Sequence, residues 1–359
     1  MPHKFVMTGG GTGGHVFPAI AVARVLRERG HQTLFIGTER GIESRLVPDA
    51  GFEMRHIRIG QFNRAGMRRK VQTAGQLPFS VGTAARILRD FAPAAVFSMG
   101  GFVSGPVMLA AILRKTPLIV MEPNAVPGFA NRRTARYVHR ALLGFDSTVR
   151  WFPAQRAEVT GLPIRSEFFS VKPKTAGPFT ILITGGSGGS RTLNRASRES
   201  WPLFRHRAPD IRLIHQTGIA EHEALAKEFA SSGLEGEVTP FIRDMASAFA
   251  QADVVIARSG AGSVNEIAAA RMPSVLVPFP FAADDHQKKN AEALCQAGAA
   301  HMVLDAEMNG ERLFQEATSL RANRAELQRM RERVTQFARP GAAERAADVM
   351  EEAAAARGR

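Results

Sequence analysis

Two groups suited to acid–base and hydroxyl chemistry stand out because glycines place them beside helix starts. The first is His15, closing Met7-Thr8-Gly9-Gly10-Gly11-Thr12-Gly13-Gly14-His15. An imidazole there can take or give a proton near neutral pH, and the glycines let a phosphate or sugar approach the main chain. The second is Glu266, which ends Arg258-Ser-Gly-Ala-Gly-Ser-Val-Asn-Glu266. Ser263 and the backbone amides at this helix start suit a diphosphate. Glu266, one turn further on, suits two vicinal ribose hydroxyls, although an acidic residue early in a helix is also favoured by the dipole alone. A third turn, Gly185-Gly-Ser-Gly-Gly-Ser-Arg191, offers the Ser187 hydroxyl to a phosphate and a cation in Arg191. Gln287 and Asn290, three apart on a helix start, share a face, and amides that donate and accept suit sugar hydroxyls. The neighbouring Asp284, Asp285 and His286 are consecutive, a spacing that does not turn three ligands onto one ion, so no metal site is expected.

The elements that must position these groups are strands entering helices. Lys4–Met7, Gln32–Ile36, Ala94–Ser98 and Leu118–Glu122 read as buried strands, with apolar-periodic helices between them. Parallel strands with right-handed crossovers follow from this alternation. Glu122 and Asn124 then fall at the carboxyl end of a strand, where open α/β sheets bind ligands, although Asn124 also suits a simple turn. Pro178–Thr184 opens a second series, continued by strands at 211–215, 237–241, 254–257, 274–277 and 300–304. The expectation is two doubly wound α/β domains. Gly9, Gly11 and Gly14 also satisfy G-x-G-x-x-G, and Glu39 follows the second strand, so a dinucleotide-binding oxidoreductase is a rival reading. His15 is bulkier than such a helix start needs.

Composition narrows the partners. The 359 residues carry 47 Lys and Arg against 33 Asp and Glu, a formal net charge of +14, which favours anionic partners or marks a basic solvated surface. With two Trp, one Tyr and no basic block interleaved with aromatics, nucleic acid falls behind lipid and sugar-phosphate. The single cysteine, Cys295, excludes an internal disulfide, and its helical neighbours suggest a small core residue. The first apolar run reads as a strand rather than a signal peptide, and no apolar segment is long enough to span a bilayer, so a soluble or peripheral protein is expected. Between residues 60 and 92, Phe62, Leu77, Phe79 and Val81 lie among cations including Arg86. This suits an anionic membrane interface, or an amphipathic helix packed on the sheet.

The motifs beginning at Gly9, Gly185 and Arg258, with Asp285-His-Gln287…Asn290, occur together in an order that resembles the bacterial lipid I N-acetylglucosaminyltransferases over essentially the whole chain. The resemblance implies a GT-B fold, with two Rossmann-like domains facing a cleft: an acceptor- and membrane-facing domain at 1–162 and a donor-binding domain at 163–338. It also implies a helix at 339–359 returning to the first domain. The implied reaction moves N-acetylglucosamine from its UDP donor to undecaprenyl-diphospho-muramoyl-pentapeptide (lipid I), forming lipid II for peptidoglycan. Carried over by motif, Thr12, Gly13, Gly14, Asn124 and Arg165 would contact the donor and Ser187 its diphosphate. Ile242 would contact uracil through its backbone, and Arg258 and Ser263 would support the nucleotide. Glu266 would hold the ribose, with Gln287 on the sugar hydroxyls and Asn290 beside it.

No cofactor is implied as required, with stimulation by a divalent cation left open. The implied partners are UDP-GlcNAc, lipid I and an anionic membrane surface, with cell-wall and division proteins as candidates and nucleic acid excluded. The implied location is peripheral, at the cytoplasmic face of the inner membrane. One departure is Glu122-Pro123-Asn124, where the family carries Glu-Gln-Asn. Inversion, as implied, needs one in-line displacement with a base for the acceptor proton. His15 is the candidate base, or else a residue that orients the acceptor.

Overall fold

The computed structural model describes residues 2–60 and 67–357, with side chains from residue 75 on in the second stretch. Two compact units emerge: residues 1–165 with 341–359, and residues 166–340. The boundary falls after Arg165 rather than at 162, which places Arg165 in the first unit instead of the second.

The strands of the first unit are β1 (Lys4–Thr8), β2 (Gln32–Gly37), β3 (Glu53–His56), β4 (Ala95–Ser98), β5 (Leu118–Glu122), β6 (Arg140–Leu143) and β7 (Ala157–Val159). Its helices are α1 (Gly13–Glu28), α2 (Glu43–Asp49), α3 (Met67–Phe91), α4 (Ser104–Leu113) and α5 (Phe129–Thr134). The sheet is parallel throughout, in the order β3-β2-β1-β4-β5-β6-β7. Phe5, Val6 and Met7 are fully buried, as are Val96 and Phe97 on the neighbouring strand. Strands covered on both faces read as continuous apolar runs, and these do.

The second unit repeats the plan with β8 (Thr180–Thr184), β9 (Arg212–Gln216), β10 (Glu235–Thr239), β11 (Val254–Ala257), β12 (Ser274–Leu276) and β13 (His301–Met302). Its helices are α6 (Arg191–Arg207), α7 (His222–Ala230), α8 (Met245–Gln251), α9 (Ala261–Ala269), α10 (His286–Gln296), α11 (Gly310–Ala322) and α12 (Arg324–Val334). The order β10-β9-β8-β11-β12-β13 reproduces that of the first unit's first six strands. In both units the order reverses beside the first strand, between β1 and β4 and between β8 and β11. Crevices at such reversals, outside the carboxyl ends of strands, are where open α/β sheets take ligands.

The last helix, α13 (Ala342–Arg357), belongs to the first unit, packs on α1 and β4, and buries Ala346, Ala347, Val349, Met350 and Ala353. Arg345 donates to both carboxylate oxygens of Glu158 at 2.6 and 3.0 Å. Arg29 donates to Asp348 at 2.7 Å and Glu351 at 2.9 Å. The Arg345 contact holds the Glu158 carboxyl below its usual range.

Three expectations change. The edge strand foreseen at 237–241 lies two residues earlier, at Glu235–Thr239, because parallel pairing to β9 sets its register. Val81 packs against the core that contains Ala84, Ile87 and Leu88, so it does not join an exposed patch. Leu77 is exposed, Phe79 is 81% exposed, and Arg86 faces solvent, whereas Phe62 lies outside the described residues. Cys295 is half-buried, and burial pushes its thiol up to about 11, which makes it a poor nucleophile at neutral pH.

Candidate active site

At the first reversal the loop after β1 meets the loop after β4. A Cβ on Gly9 would stand 2.8 Å from the Met99 side chain, and one on Gly101 would stand 3.3 Å from His15 Nδ1. Glycine is therefore required by close approach, and at Gly11 (φ +86°) also by backbone conformation. The His15 backbone N–H donates to the Thr12 carbonyl at 3.1 Å as α1 begins. Its Nδ1 lies 3.1 Å from the Gly10 carbonyl and 3.5 Å from the Thr12 hydroxyl. A carbonyl only accepts, so Nδ1 carries the proton and the neutral ring's lone pair is on Nε2. Thr12 and Gly14 are exposed and Gly13 half-buried beside the Phe17 ring.

The same turn holds a carboxylate that the sequence pattern did not reveal. Glu43, 1% exposed at the start of α2, accepts from the Gly11 N–H at 3.1 Å. It also accepts from the Thr38 N–H at 3.1 Å and the Thr38 hydroxyl at 2.7 Å. With a negative group already against its amide, this turn is not a cradle for a dinucleotide pyrophosphate. Glu39, the acid of the rival fingerprint, is simply exposed.

Glu122, at the end of β5, is likewise not a ligand but a hub. It accepts from the Asn124 N–H at 3.0 Å, Asn124 Nδ2 at 3.2 Å, the Gly128 N–H at 2.9 Å and Asn131 Nδ2 at 2.9 Å. Burial raises its pKa, and these four donors oppose that rise. They fix the half-buried Asn124, with the Thr148 hydroxyl donating to the Asn124 carbonyl at 3.0 Å. Pro123 is buried inside this turn. Arg165 is exposed.

In the second unit, the turn after β8 carries Ser187 exposed at its tip, and Ser190 caps α6 by accepting from the Leu193 N–H at 3.3 Å. Gly189 (φ +74°) passes so close to the Thr217 carbonyl that no Cβ fits between them. Gln216, buried at the end of β9, ties three loops together. Its Nε2 donates to the Gly186 carbonyl at 2.8 Å and to Thr184 Oγ1 at 3.3 Å, and its Oε1 accepts from the Ile242 N–H at 2.8 Å. Of the Ile242 backbone expected to contact uracil, the N–H is thus engaged by a side-chain amide.

Behind these loops, His215 is buried, and its Nε2–H donates to Asn194 Oδ1 at 3.1 Å. Asn194 Nδ2 in turn donates to the Thr217 carbonyl at 3.0 Å. Burial pushes the His215 ring down to about 3, so it is neutral at physiological pH.

The turn after β11 enters α9, whose N-terminal residue Gly260 provides no side-chain cap and whose first turn carries no acid. Its amides are therefore suited to an external anion. Ser263 and Glu266 are half-buried on α9.

Arg258, expected with Ser263 to support the nucleotide, points inward. It is 8% exposed, and its guanidinium donates to the Val277 and Pro278 carbonyls at 3.1 and 3.3 Å and to Asp305 at 2.5 Å. Asp305 also accepts from the Thr192 hydroxyl at 3.1 Å. Arg258 therefore clamps the floor of the turn. Asn290, expected beside Gln287 on the sugar, also turns inward: fully buried, it donates to the Ser259 carbonyl at 3.1 Å and braces the turn from within. Gln287, its expected partner, is half-buried, and its Oε1 accepts from the Phe279 N–H at 3.0 Å. The two amides do not form one sugar-binding pair, because packing of α10 under the turn takes Asn290 out of reach.

Two parallel units of this strand order, with glycine turns feeding helices at their reversal points, give the paired Rossmann-like units of the GT-B fold. Residues 5–143 match the glycosyltransferase family 28 N-terminal domain and residues 180–351 its C-terminal domain. The chain belongs to glycosyltransferase family 28. It is 56% identical over 98% of its length, and 96% of the relative's, to a UDP-N-acetylglucosamine–N-acetylmuramyl-(pentapeptide) pyrophosphoryl-undecaprenol N-acetylglucosamine transferase of Solibacter usitatus. A protein of the same name from Halorhodospira halophila is 42% identical, covering 97% of this chain and 98% of that one. Among solved structures, MurG of Acinetobacter baumannii superposes with a TM-score of 0.81 at 34% identity, covering 98% of this chain and all of that one. A calicheamicin glycosyltransferase, at 16% identity and a TM-score of 0.71 over 98% of each chain, shares the fold alone.

Proposed function

We infer that the protein transfers N-acetylglucosamine from UDP-N-acetylglucosamine to undecaprenyl-diphospho-muramoyl-pentapeptide, forming lipid II with inversion. The observation that carries this reading is the 56% identity, along essentially the full chain, to a transferase named for that donor and acceptor. The two units supply different chemistry. In the second, the uncapped α9 amides and the Ser187 turn accept the UDP diphosphate, with Glu266 on the ribose and Gln287 on the sugar. In the first, His15 Nε2 takes the acceptor proton, with the Thr12–Gly14 backbone and Asn124 beside the sugar. The acceptor oxygen bonds to the anomeric carbon as the bond to UDP breaks, its electron pair leaving on the diphosphate and the proton moving to His15. Helix-terminal amides stabilise the departing charge without requiring a metal.

The acceptor is a membrane lipid, and a peripheral site at the cytoplasmic face of the inner membrane suits it. The exposed Leu77 and Phe79, with Arg86 on the same helix, support contact with an anionic membrane. Among the described residues, no helix is long and apolar enough to cross a bilayer. The test is UDP release from UDP-N-acetylglucosamine with and without a lipid I analogue. Release that depends on the analogue is expected, and turnover that ignores it overturns the acceptor assignment.

A further inference from the structure

We propose that Glu43 is a positioning residue that acts on His15 through one peptide group, forming a carboxylate–peptide–imidazole relay. The proposal rests on the reading of His15 as the base. The Gly11 N–H that donates to Glu43 Oε2 at 3.1 Å and the Gly10 carbonyl that accepts from His15 Nδ1 at 3.1 Å are the two ends of one peptide unit. A carboxylate pulling on that N–H shifts electron density toward the carbonyl oxygen and strengthens it as an acceptor. The stronger acceptor keeps the proton on Nδ1 and the lone pair on Nε2, the form a base needs. When Nε2 takes the acceptor proton, the negative charge on Glu43 stabilises the imidazolium through the same peptide.

The surroundings are built around this carboxylate. A Cβ on Gly10 would stand 2.6 Å from it, one on Gly37 would stand 2.8 Å from the Glu43 Cγ, and one on Gly41 would collide with the carboxylate outright. Three glycines thus make room for one buried acid. The donors that hold it, the Gly11 and Thr38 N–H groups and the Thr38 hydroxyl, are all neutral. A carboxyl group this deeply buried is costly unless donors hold it, and an organising role over the adjoining histidine is the function the geometry points to.

The test combines kinetics with selective ring-15N labelling of histidine, the His15 signals being assigned by their loss in His15→Gln. At a pH where the ring is neutral, the wild-type protein is expected to show His15 protonated at Nδ1. Glu43→Gln cannot satisfy the Gly11 and Thr38 donors together. It should lower kcat about 10- to 100-fold, the scale on which groups that orient a histidine act, leave the donor KM nearly unchanged, and mix the His15 tautomers. If Glu43→Gln does not fold, Thr38→Val, which removes only the hydroxyl donor, should move kcat and tautomer ratio the same way by a smaller factor. A wild-type ring protonated at Nε2, or a folded variant with unchanged tautomer and kcat, overturns the relay. Should His15→Ala keep full turnover, the base reading falls, while a tautomer that still responds to Glu43 leaves the structural link standing.

Discussion

The glycine turns after β1 and β8 occupy the same place in the same topology, yet one is filled and the other is open. After β1, the buried Glu43 carboxylate accepts from the Gly11 amide, so the turn already contains its anion. After β8, the contacts are neutral: Gly186 N–H donates to Thr184 Oγ1 at 3.1 Å, and Gln216 holds the Gly186 carbonyl. The α9 turn beside it has no acid in its first turn. A shared strand–turn–helix unit therefore does not fix what binds there; the side chain that a neighbouring loop sends into the turn does. In the first unit the backbone holds a carboxylate and a histidine, whereas in the second the α9 turn carries no acid, as the proposed diphosphate site requires.

This division can be broken from either side. The largest effect is expected from His15→Ala, which should lower kcat at least ~100-fold, the usual scale for a general base, while UDP-sugar binding by calorimetry persists. Parallel loss of binding would place His15 in donor recognition instead. Gly189→Ala forces a Cβ against the Thr217 carbonyl at a positive-φ position, and a donor KM raised about 10-fold or more is expected, each factor of ten being about 1.4 kcal/mol. A fall in kcat at unchanged KM would contradict the phosphate role of that turn. Glu266→Ala should raise the donor KM roughly 10- to 100-fold, because a hydrogen bond to a charged group is worth roughly 1.5–3 kcal/mol; an unchanged KM would remove Glu266 from the ribose.

The smallest effect concerns stability. The neutral His215 takes no proton in the folded state until about pH 3, whereas an unfolded histidine does so below its ordinary 6.5. Between those values the unfolded state binds more protons, so stability falls as pH drops, by up to about 1.4 kcal/mol per pH unit. His215→Gln, which keeps an amide donor toward Asn194, should flatten the dependence of the urea midpoint between pH 7 and pH 5. A slope equal to wild type would assign the acid sensitivity elsewhere.

Much of the fold was legible in the chain because buried parallel strands announce themselves. Leu118–Glu122 and Val254–Ala257 are apolar runs bounded by turn residues, and they occupy the residues expected. The short strands β3, β6 and β7 carry little signal: Glu53-Met-Arg-His56 and Ala157-Glu-Val159 have too few apolar residues to differ from loop, and Arg140-Ala-Leu-Leu143 is only four residues long. Neighbouring strands, rather than their own composition, make them strands.

For the site, the order of residues determined which glycine turns precede which helices, and hence where backbone amides, His15, Ser187 and Glu266 would be presented. Local spacing is enough for that, because a turn and its helix are contiguous. Direction and occupancy were decided only by tertiary packing. Arg258 and Asn290 sit in the expected motifs but turn inward to Asp305 and Ser259, while Glu43, 32 residues from Gly11, turns toward the first loop. A buried charge or amide settles where partners satisfy it, and those partners lie on loops and helix starts that only the folded sheets bring together.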